Sequence, residues 1–405
     1  MANEDKSTRY QRQRRRAAIA TAILDVALLA GVLATGLSRA VADAAAASWD
    51  AAAAATVGFV LALLAARTLL ILPLAYASEV VRERRYGRAR VALVHWFGAY
   101  LWRAAVLAAV LAGAALVIHV AVWWNPAAWW APASAVLASA IVGGAALVPA
   151  LAVRSAAELA PIGRAELAAR LTALAARAGT AGVPILAWKL GPRAAGATAL
   201  LVGFGPSRRI LVTDAVLDTH ADDEVEVIVA HELAHYRRGD AWWTAAMAAG
   251  ALALGLYAAA RVVPLAAGAF ALQGPGDAAA LPLVALVCGG VAALLAPLVN
   301  LASRAQERRA DRDALAWTRN APALVRTLKR LSAAHLTEDR PPGWSVAFFH
   351  RHPAVAERIA AAEEWASRQK AEGGNCKPEA GSRKPEAGSR KPGAYVGSCG
   401  RLRPE

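Results

Sequence analysis

Cysteine is scarce in this chain: Cys288, Cys376 and Cys399 are the three among 405 residues. That excludes a disulfide-stapled secreted scaffold and the four-cysteine structural zinc sites. Any metal must therefore be held by histidine and carboxylate. Charge is scarce too, at 19% of residues against about a quarter in an ordinary soluble domain, while 57% are hydrophobic. The apolar excess has to face something other than water. Acidic residues are outnumbered, 30 against 45 Lys plus Arg, for a formal net charge of +15. Such a surplus suits nucleic acid or an anionic membrane surface, and its placement along the chain decides between them.

Long apolar runs occupy 17–37, 53–77, 97–122, 130–153, 242–265 and 280–302. Each reaches the roughly 20 residues a helix needs to cross a bilayer core, which makes about six spans. Basic clusters fall at Arg14, Arg15 and Arg16 and at Arg82, Arg84, Arg85, Arg88 and Arg90, whereas the alternate loops 39–52, 123–129 and 266–279 hold almost no Lys or Arg. By the positive-inside rule both termini and the segment 154–240 are cytoplasmic. The charge is thus read as topology and lipid headgroup contact, with no nucleic-acid partner. The first run, with its basic flank and Ala40-Val41-Ala42 after it, has features of a cleaved secretory signal. Its length and the interrupting Asp25 favour a retained helix. Asp25 and Arg67 lie at similar depth inside the first two spans, so an intramembrane pair or a shared wet cavity is expected. The sequence leaves open whether such a pair only locks two helices or serves a substrate.

Between the fourth and fifth spans the composition becomes that of a soluble segment. Leu167, Leu171 and Leu174 have helical spacing within 166–178, and 198–202 with 209–212 read as two strands of a β-hairpin around Phe204-Gly205-Pro206-Ser207. Helical patterns return over 223–237, 304–318, 322–334 and 353–368. The tail repeats Lys-Pro-Glu-Ala-Gly-Ser-Arg at 377–383 and 384–390. It is too poor in apolar residues to bury a core and is expected to be disordered, with Cys376 and Cys399 as free thiols.

The run His231-Glu232-Leu233-Ala234-His235 spells H-E-x-x-H. On a helix, residues four apart share a face about 6 Å apart, so both imidazoles can reach one Zn²⁺ while Glu232 stands beside it as general base. Val225, Val227, Ile228 and Val229, preceded by Asp222, Asp223 and Glu224, give the segment helical character with acidic residues at its start. A catalytic zinc needs a third protein ligand and an open position. The fifth and sixth spans form an antiparallel hairpin, and His235 before it and Glu307 after it emerge on one side, each about 9 Å out by helical rise. Glu307 is accordingly the expected third ligand. Asp311, one turn on, is placed to orient a liganding imidazole. The competing reading of Glu307 and Asp311 is a solvated charged face among Arg304, Arg308, Arg309 and Arg312. His95, His119, His220, His335 and His350 have no partner at ligand spacing and are read as structural or surface residues.

From Leu72 to Ile359 the chain resembles the membrane zinc metallopeptidases that include the type I CAAX prenyl protease and the bacterial HtpX proteases. The resemblance rests on the H-E-x-x-H run, on Ser303-Arg304-Ala305-Gln306-Glu307-Arg308-Arg309-Ala310-Asp311, and on His352-Pro353 with Glu357-Arg358-Ile359. Glu83-Arg84-Arg85-Tyr86-Gly87 and Gly203-Phe204-Gly205 with Arg209-Ile210 add to it. It implies zinc ligands at His231, His235 and Glu307, the catalytic base at Glu232, an orienting carboxylate at Asp311, and His352 and Arg358 as groups that line the site and stabilise the oxyanion. Thr198 stands where the family usually has Asn, and Ala354 where it has a second Pro.

The expected protein is a mainly α integral membrane protein with a cytoplasmic α+β zinc-peptidase (gluzincin-like) domain and a small β-hairpin. Its expected divisions are a basic amino terminus (1–16), a four-helix membrane region (17–153), a first peptidase segment (154–240), a membrane hairpin (241–302), a second peptidase segment (303–371) and the tail (372–405). The expected activity is zinc endopeptidase action at the cytoplasmic face of the cell membrane, on membrane-associated, prenylated-type or misfolded protein substrates. Strand 209–212 is expected to hold the peptide as an added β-strand. One rival is a sensor-transducer, because 231–240 also resembles the BlaR-type membrane peptidases; those need an outer ligand-binding domain, and the outer loops here are short. A non-catalytic membrane scaffold is the other, and it would have no need of Glu232.

Overall fold

The computed structural model describes residues 5–88, 92–156, 158–189, 199–202 and 209–374. Thr198, the hairpin residues 203–208, Arg90 and the repeat tail with Cys376 and Cys399 lie outside the described residues. The chain divides into a unit Met1–Trp365 and a unit Ala366–Glu405.

The apolar runs are helical as expected. Helix α1 (Lys6–Ala34) continues the basic amino terminus without a break into the first run. Helix α2 (Leu37–Ser48) occupies most of the connection between the first two apolar runs. Its alanine content favours a helix, and Ser38 Oγ donates to the Ala279 carbonyl at 2.8 Å while Arg39 pairs with Asp277 at 2.6 Å. The Trp49 ring after it lies against Gly58, where a Cβ would meet the ring at 2.0 Å. Helix α3 (Ala52–Tyr76) passes through Pro73 into a π turn at Ala77–Val81 and the short α4 (Arg82–Arg85). A proline in a helix removes one backbone hydrogen bond. Helices α5 (Leu93–Trp124) and α6 (Trp130–Ala156) follow.

Among the described residues five helices are long and apolar enough to cross a membrane: α1, α3 with its extension, α5 and two later ones. Helix α6 is apolar over the shorter stretch Trp130–Ala145. Leu69 (70% exposed) and Leu294 (79% exposed) point outward from these helices, as lipid-facing side chains do. Phe59, Trp129, Leu256 and Val263 form the core between them.

Strand β1 (Glu158–Pro161), α7 (Ala165–Arg177), β2 (Ile185–Lys189), β3 (Ala199–Val202) and β4 (Arg209–Thr213) make a small layer beside the bundle. The sheet order is β1-β2-β4-β3. The hairpin strands pair antiparallel, with Ala199 opposite Val212 and Val202 opposite Arg209. Strand β4 also pairs in parallel with β2, Ile185 opposite Ile210. This corrects the expectation that 209–212 takes an added strand: both edges of β4 are used, and β3 is the outermost strand on that side among the described residues.

Helices α8 (Asp214–Thr219), α9 (Asp222–Arg238) and α10 (Asp240–Ala266) lead to α11 (Leu281–Thr318), a single helix of 38 residues. The expected division between 302 and 303 falls inside α11, where Ala, Arg, Glu and Gln are good helix formers that carry the helix on. One rigid rod therefore carries the last membrane run and the carboxylates beyond it. Helices α12 (Ala321–His335), α13 (Gly343–Phe349) and α14 (Val355–Gly374) complete the described chain.

Candidate metal centre

Helix α9 is held by its apolar face. Val225, Val229, Ala230 and Leu233 are fully buried in one core with Leu167, Leu171, Leu174, Ile210 and Val212. At its start Glu224 accepts from the Ala221 backbone N–H at 3.1 Å. At its end Gly239 takes φ +66°, a left-handed conformation that side-chain-bearing residues rarely adopt. That turn swings Asp240 back toward α9, where Asp240 Oδ2 stands 2.7 Å from His235 Nδ1.

The other face of α9 presents the two imidazoles to Glu307 on α11. His231 Nε2 and His235 Nε2 are 3.1 Å apart, His231 Nε2 is 3.3 Å from Glu307 Oε2, and His235 Nε2 is 3.4 Å from Glu307 Oε1. Donors at about 2.0–2.1 Å from a tetrahedral zinc are separated by about 3.3–3.4 Å, so these side chains fit one ion. Among the described residues they form a group able to hold a metal. Glu307 Oε2 is buried and receives no well-aligned hydrogen bond. Two ring nitrogens face to face with a carboxylate need a cation or a proton between them, and the donor set suits zinc.

The nitrogens turned away from this centre meet carboxylates. His235 Nδ1 has Asp240, and His231 Nδ1 has Asp311 Oδ1 at 3.0 Å, close but off the hydrogen-bond axis. Asp311 in turn accepts two hydrogen bonds from Arg358, at 2.7 and 2.6 Å. Arg358, which the resemblance pairs with the oxyanion, thus directs two donors to Asp311 while also lining the cavity in front of the centre. His352 is 67% exposed, with Nδ1 3.0 Å from Glu307 Oε2. All seven residues singled out from the sequence come together here.

Burial opposes a charged His231, but the Asp311 and Glu307 carboxylates outweigh it and raise the ring to about 9. Burial opposes charge on His235 as well, and Glu307 and Asp240 reverse the sign, so it too is raised. Burial pushes Glu232 above the usual carboxylate range, with the two imidazoles acting against that shift. A carboxylate raised in this way is a better base near neutrality.

Two contributors escaped the sequence reading. Asp240 orients His235, and its signal was the Gly-Asp step immediately after a helix. Arg304, read as part of a solvated face, is buried: its Nη1 donates to the carbonyls of Val346 and His350, each at 2.8 Å. Asn300 donates to Ala347 O at 2.9 Å. Together they fasten the segment that leads to His352.

A cavity of about 700 Å³ opens in front of His231, Glu232 and Glu307, bounded by α1, α9, α12 and the segment 349–358. Ala199 at the start of β3 also lines it.

Comparison with known proteins agrees with this geometry. The profile described as CAAX prenyl protease N-terminal, five membrane helices, matches residues 2–153. The chain is 30% identical over 210 residues to the uncharacterized metalloprotease YhfN of Bacillus subtilis, covering 50% of this chain and 49% of that one. It is 32% identical over 185 residues to the protease HtpX homolog of Nostoc punctiforme (41% and 63%), and 27% identical over 184 residues to the CAAX prenyl protease 1 homolog of Oryza sativa (44% and 42%). It spans about half the length of these curated relatives. The fold is that of S. mikatae Ste24p, with a TM-score of 0.75 at 18% identity over 88% of each chain. The profile of peptidase family M48 covers residues 161–366, sheet and metal centre included, and the chain is a multi-pass membrane protein belonging to that family.

Proposed function

We propose that this M48 protein is a zinc-dependent endopeptidase that hydrolyses peptide bonds of membrane-associated, prenylated-type or misfolded proteins at the cytoplasmic face. The observation that carries the reading is the donor triangle of His231, His235 and Glu307 with the half-buried Glu232 beside it on the cavity wall. Zinc would be held by those three residues and would supply Lewis acidity to the scissile carbonyl and a lowered pKa to the attacking water. Glu232 takes the proton of that water and passes it to the leaving amine. His352, at the cavity side of Glu307, is placed to donate to the charge developing on the carbonyl oxygen. Asp240, Asp311 and, through Asp311, Arg358 hold the imidazole rings in orientation.

The position of β3 as the outermost strand on its side among the described residues supports substrate binding there and not on strand 209–212. An extended peptide added to the outer side of Ala199–Val202 leads past Ala199 into the cavity. The cytoplasmic assignment rests on the basic clusters lying on the side of the metal centre. Arg88 donates to the Ala334 carbonyl, and Gln11 to that of Leu336 at 2.8 Å.

The test is Glu232→Gln in the purified protein. Zinc content should stay near one per chain while cleavage of a membrane-peptide mixture is lost. Retained turnover in that variant refutes the base assignment, and absence of bound zinc from the unsubstituted protein refutes the metal reading.

A further inference from the structure

The cavity in front of the metal centre is unevenly charged. Its wall on α1 is a stripe made by Tyr10, Gln11, Arg14, Arg15 and Ala18, residues that share one helix face. That wall is fastened to the rest of the cavity. Tyr10 donates to Glu83 at 2.8 Å, Gln11 to the Leu336 carbonyl, and Arg15 pairs with the buried Glu338.

Five arginines line the space: Arg14, Arg15, Arg88, Arg351 and Arg358. Three are neutralised, Arg15 by Glu338, Arg88 by Glu83 and Arg358 by Asp311. Arg14 and Arg351 have no hydrogen bond or ion pair among the described residues. Both are exposed to solvent, and the concave wall they line focuses their field into the space it borders. His335 and His350 respond to that field. Burial lowers both; Arg88 and Arg14 lower His335 further, and on His350 Arg15, Arg304 and Arg14 do the same against the opposing Glu338. The carboxylates lining the cavity, Glu232, Glu307 and Glu338, are committed to the metal centre or to Arg15.

We infer that Arg14, together with Arg351, forms an anion-reading subsite that selects peptides carrying a carboxylate near the scissile bond, whether an acidic side chain or a free carboxyl terminus. The inference rests on the endopeptidase reading above. Both arginines share a cavity with Glu232, and Ala199 of the β3 edge lines that cavity too, so a peptide aligned on β3 passes them. A guanidinium accepts a carboxylate with two parallel hydrogen bonds, which gives it preference over a neutral amide.

The test measures binding as well as turnover. Full-length Glu232→Gln protein in neutral-lipid nanodiscs is titrated with fluorescent peptides in matched sets: Glu against Gln at each position flanking the bond, and a free carboxyl terminus against its amide. The expected result is about tenfold tighter binding of the carboxylate form in at least one set, and the responding set identifies the source of the carboxylate. Adding Arg14→Gln should reduce that ratio toward one, Arg14→Lys should retain most of it, and Arg16→Gln, on the same helix but outside the cavity, should leave it unchanged. The same ratios should appear in kcat/KM of the active protein. Equal binding of all matched pairs, or a ratio that survives Arg14→Gln and Arg351→Gln together, overturns the inference. An effect of Arg14→Gln confined to nanodiscs containing anionic lipid overturns it in favour of headgroup contact. Active protein that cleaves peptides with no charge preference defeats the subsite alone, whereas selective binding with no cleavage by the unsubstituted protein defeats the endopeptidase reading and leaves the subsite standing.

Discussion

Replacing Asp240 by alanine should weaken zinc binding without touching a ligand. The carboxylate is 5% exposed and its Oδ2 stands 2.7 Å from His235 Nδ1, so it fixes which ring nitrogen faces Glu307 and raises the basicity of that nitrogen. Loss of such a partner costs about 10- to 100-fold in metal affinity, or about 1.4–2.7 kcal/mol. Asp240→Ala leaves a buried ring N–H without an acceptor and belongs near the upper end. Asp240→Asn keeps an acceptor and loses only the charge, so about tenfold is expected. The assay is competitive zinc titration against a chromophoric chelator in detergent near pH 7.5. Asp313→Ala is the control, because Asp313 pairs with Arg238 away from the metal centre and should stay within about twofold. Zinc affinity within twofold of the parent for both Asp240 variants would refute the orienting role and the tautomer argument built on it.

The pH dependence of metal loading follows from His231. Its ring is raised to about 9, so below that pH it carries a proton that zinc must displace. Zinc affinity should climb at least about tenfold per pH unit between about 7 and 9, more where the raised His235 also has to give up a proton, with proton release seen by calorimetry in buffers of different ionisation enthalpy; loading that releases no proton contradicts this. In the chelated protein the contacts of protonated His231 with Asp311 and Glu307 stabilise the fold fully below about pH 6.5 and are lost as the pH rises through about 9, so the melting temperature should fall across that window. Inside the membrane, Arg67 donates to Asp25 twice, at 2.7 and 3.0 Å. Asp25→Ala or Arg67→Ala should each destabilise the protein in detergent by about 1–3 kcal/mol, and the exchange Asp25→Arg with Arg67→Asp should recover part of it. Failure of the exchange to improve on either single change removes the pair as a lock.

What the sequence determined by itself was whatever depends on local periodicity or on a few fixed offsets. Runs of apolar residues long enough to satisfy a backbone in lipid can be read one residue at a time, because helices satisfy their own hydrogen bonds. The H-E-x-x-H offset places His231 and His235 on one face wherever the helix happens to lie, and the membrane hairpin was enough to bring Glu307 to their height. Strand partners carry no such local mark. That β4 lies between β2 and β3, with both of its edges paired, depends on a parallel pairing with residues more than twenty positions earlier, and it closes β4 to an added strand. Asp240 reaches His235 only because Gly239 turns left-handed, and Arg304 leaves the solvated face only because α13 presents carbonyls to it. Long-range contacts of this kind are settled by how rigid elements pack, and the tertiary structure alone decided them.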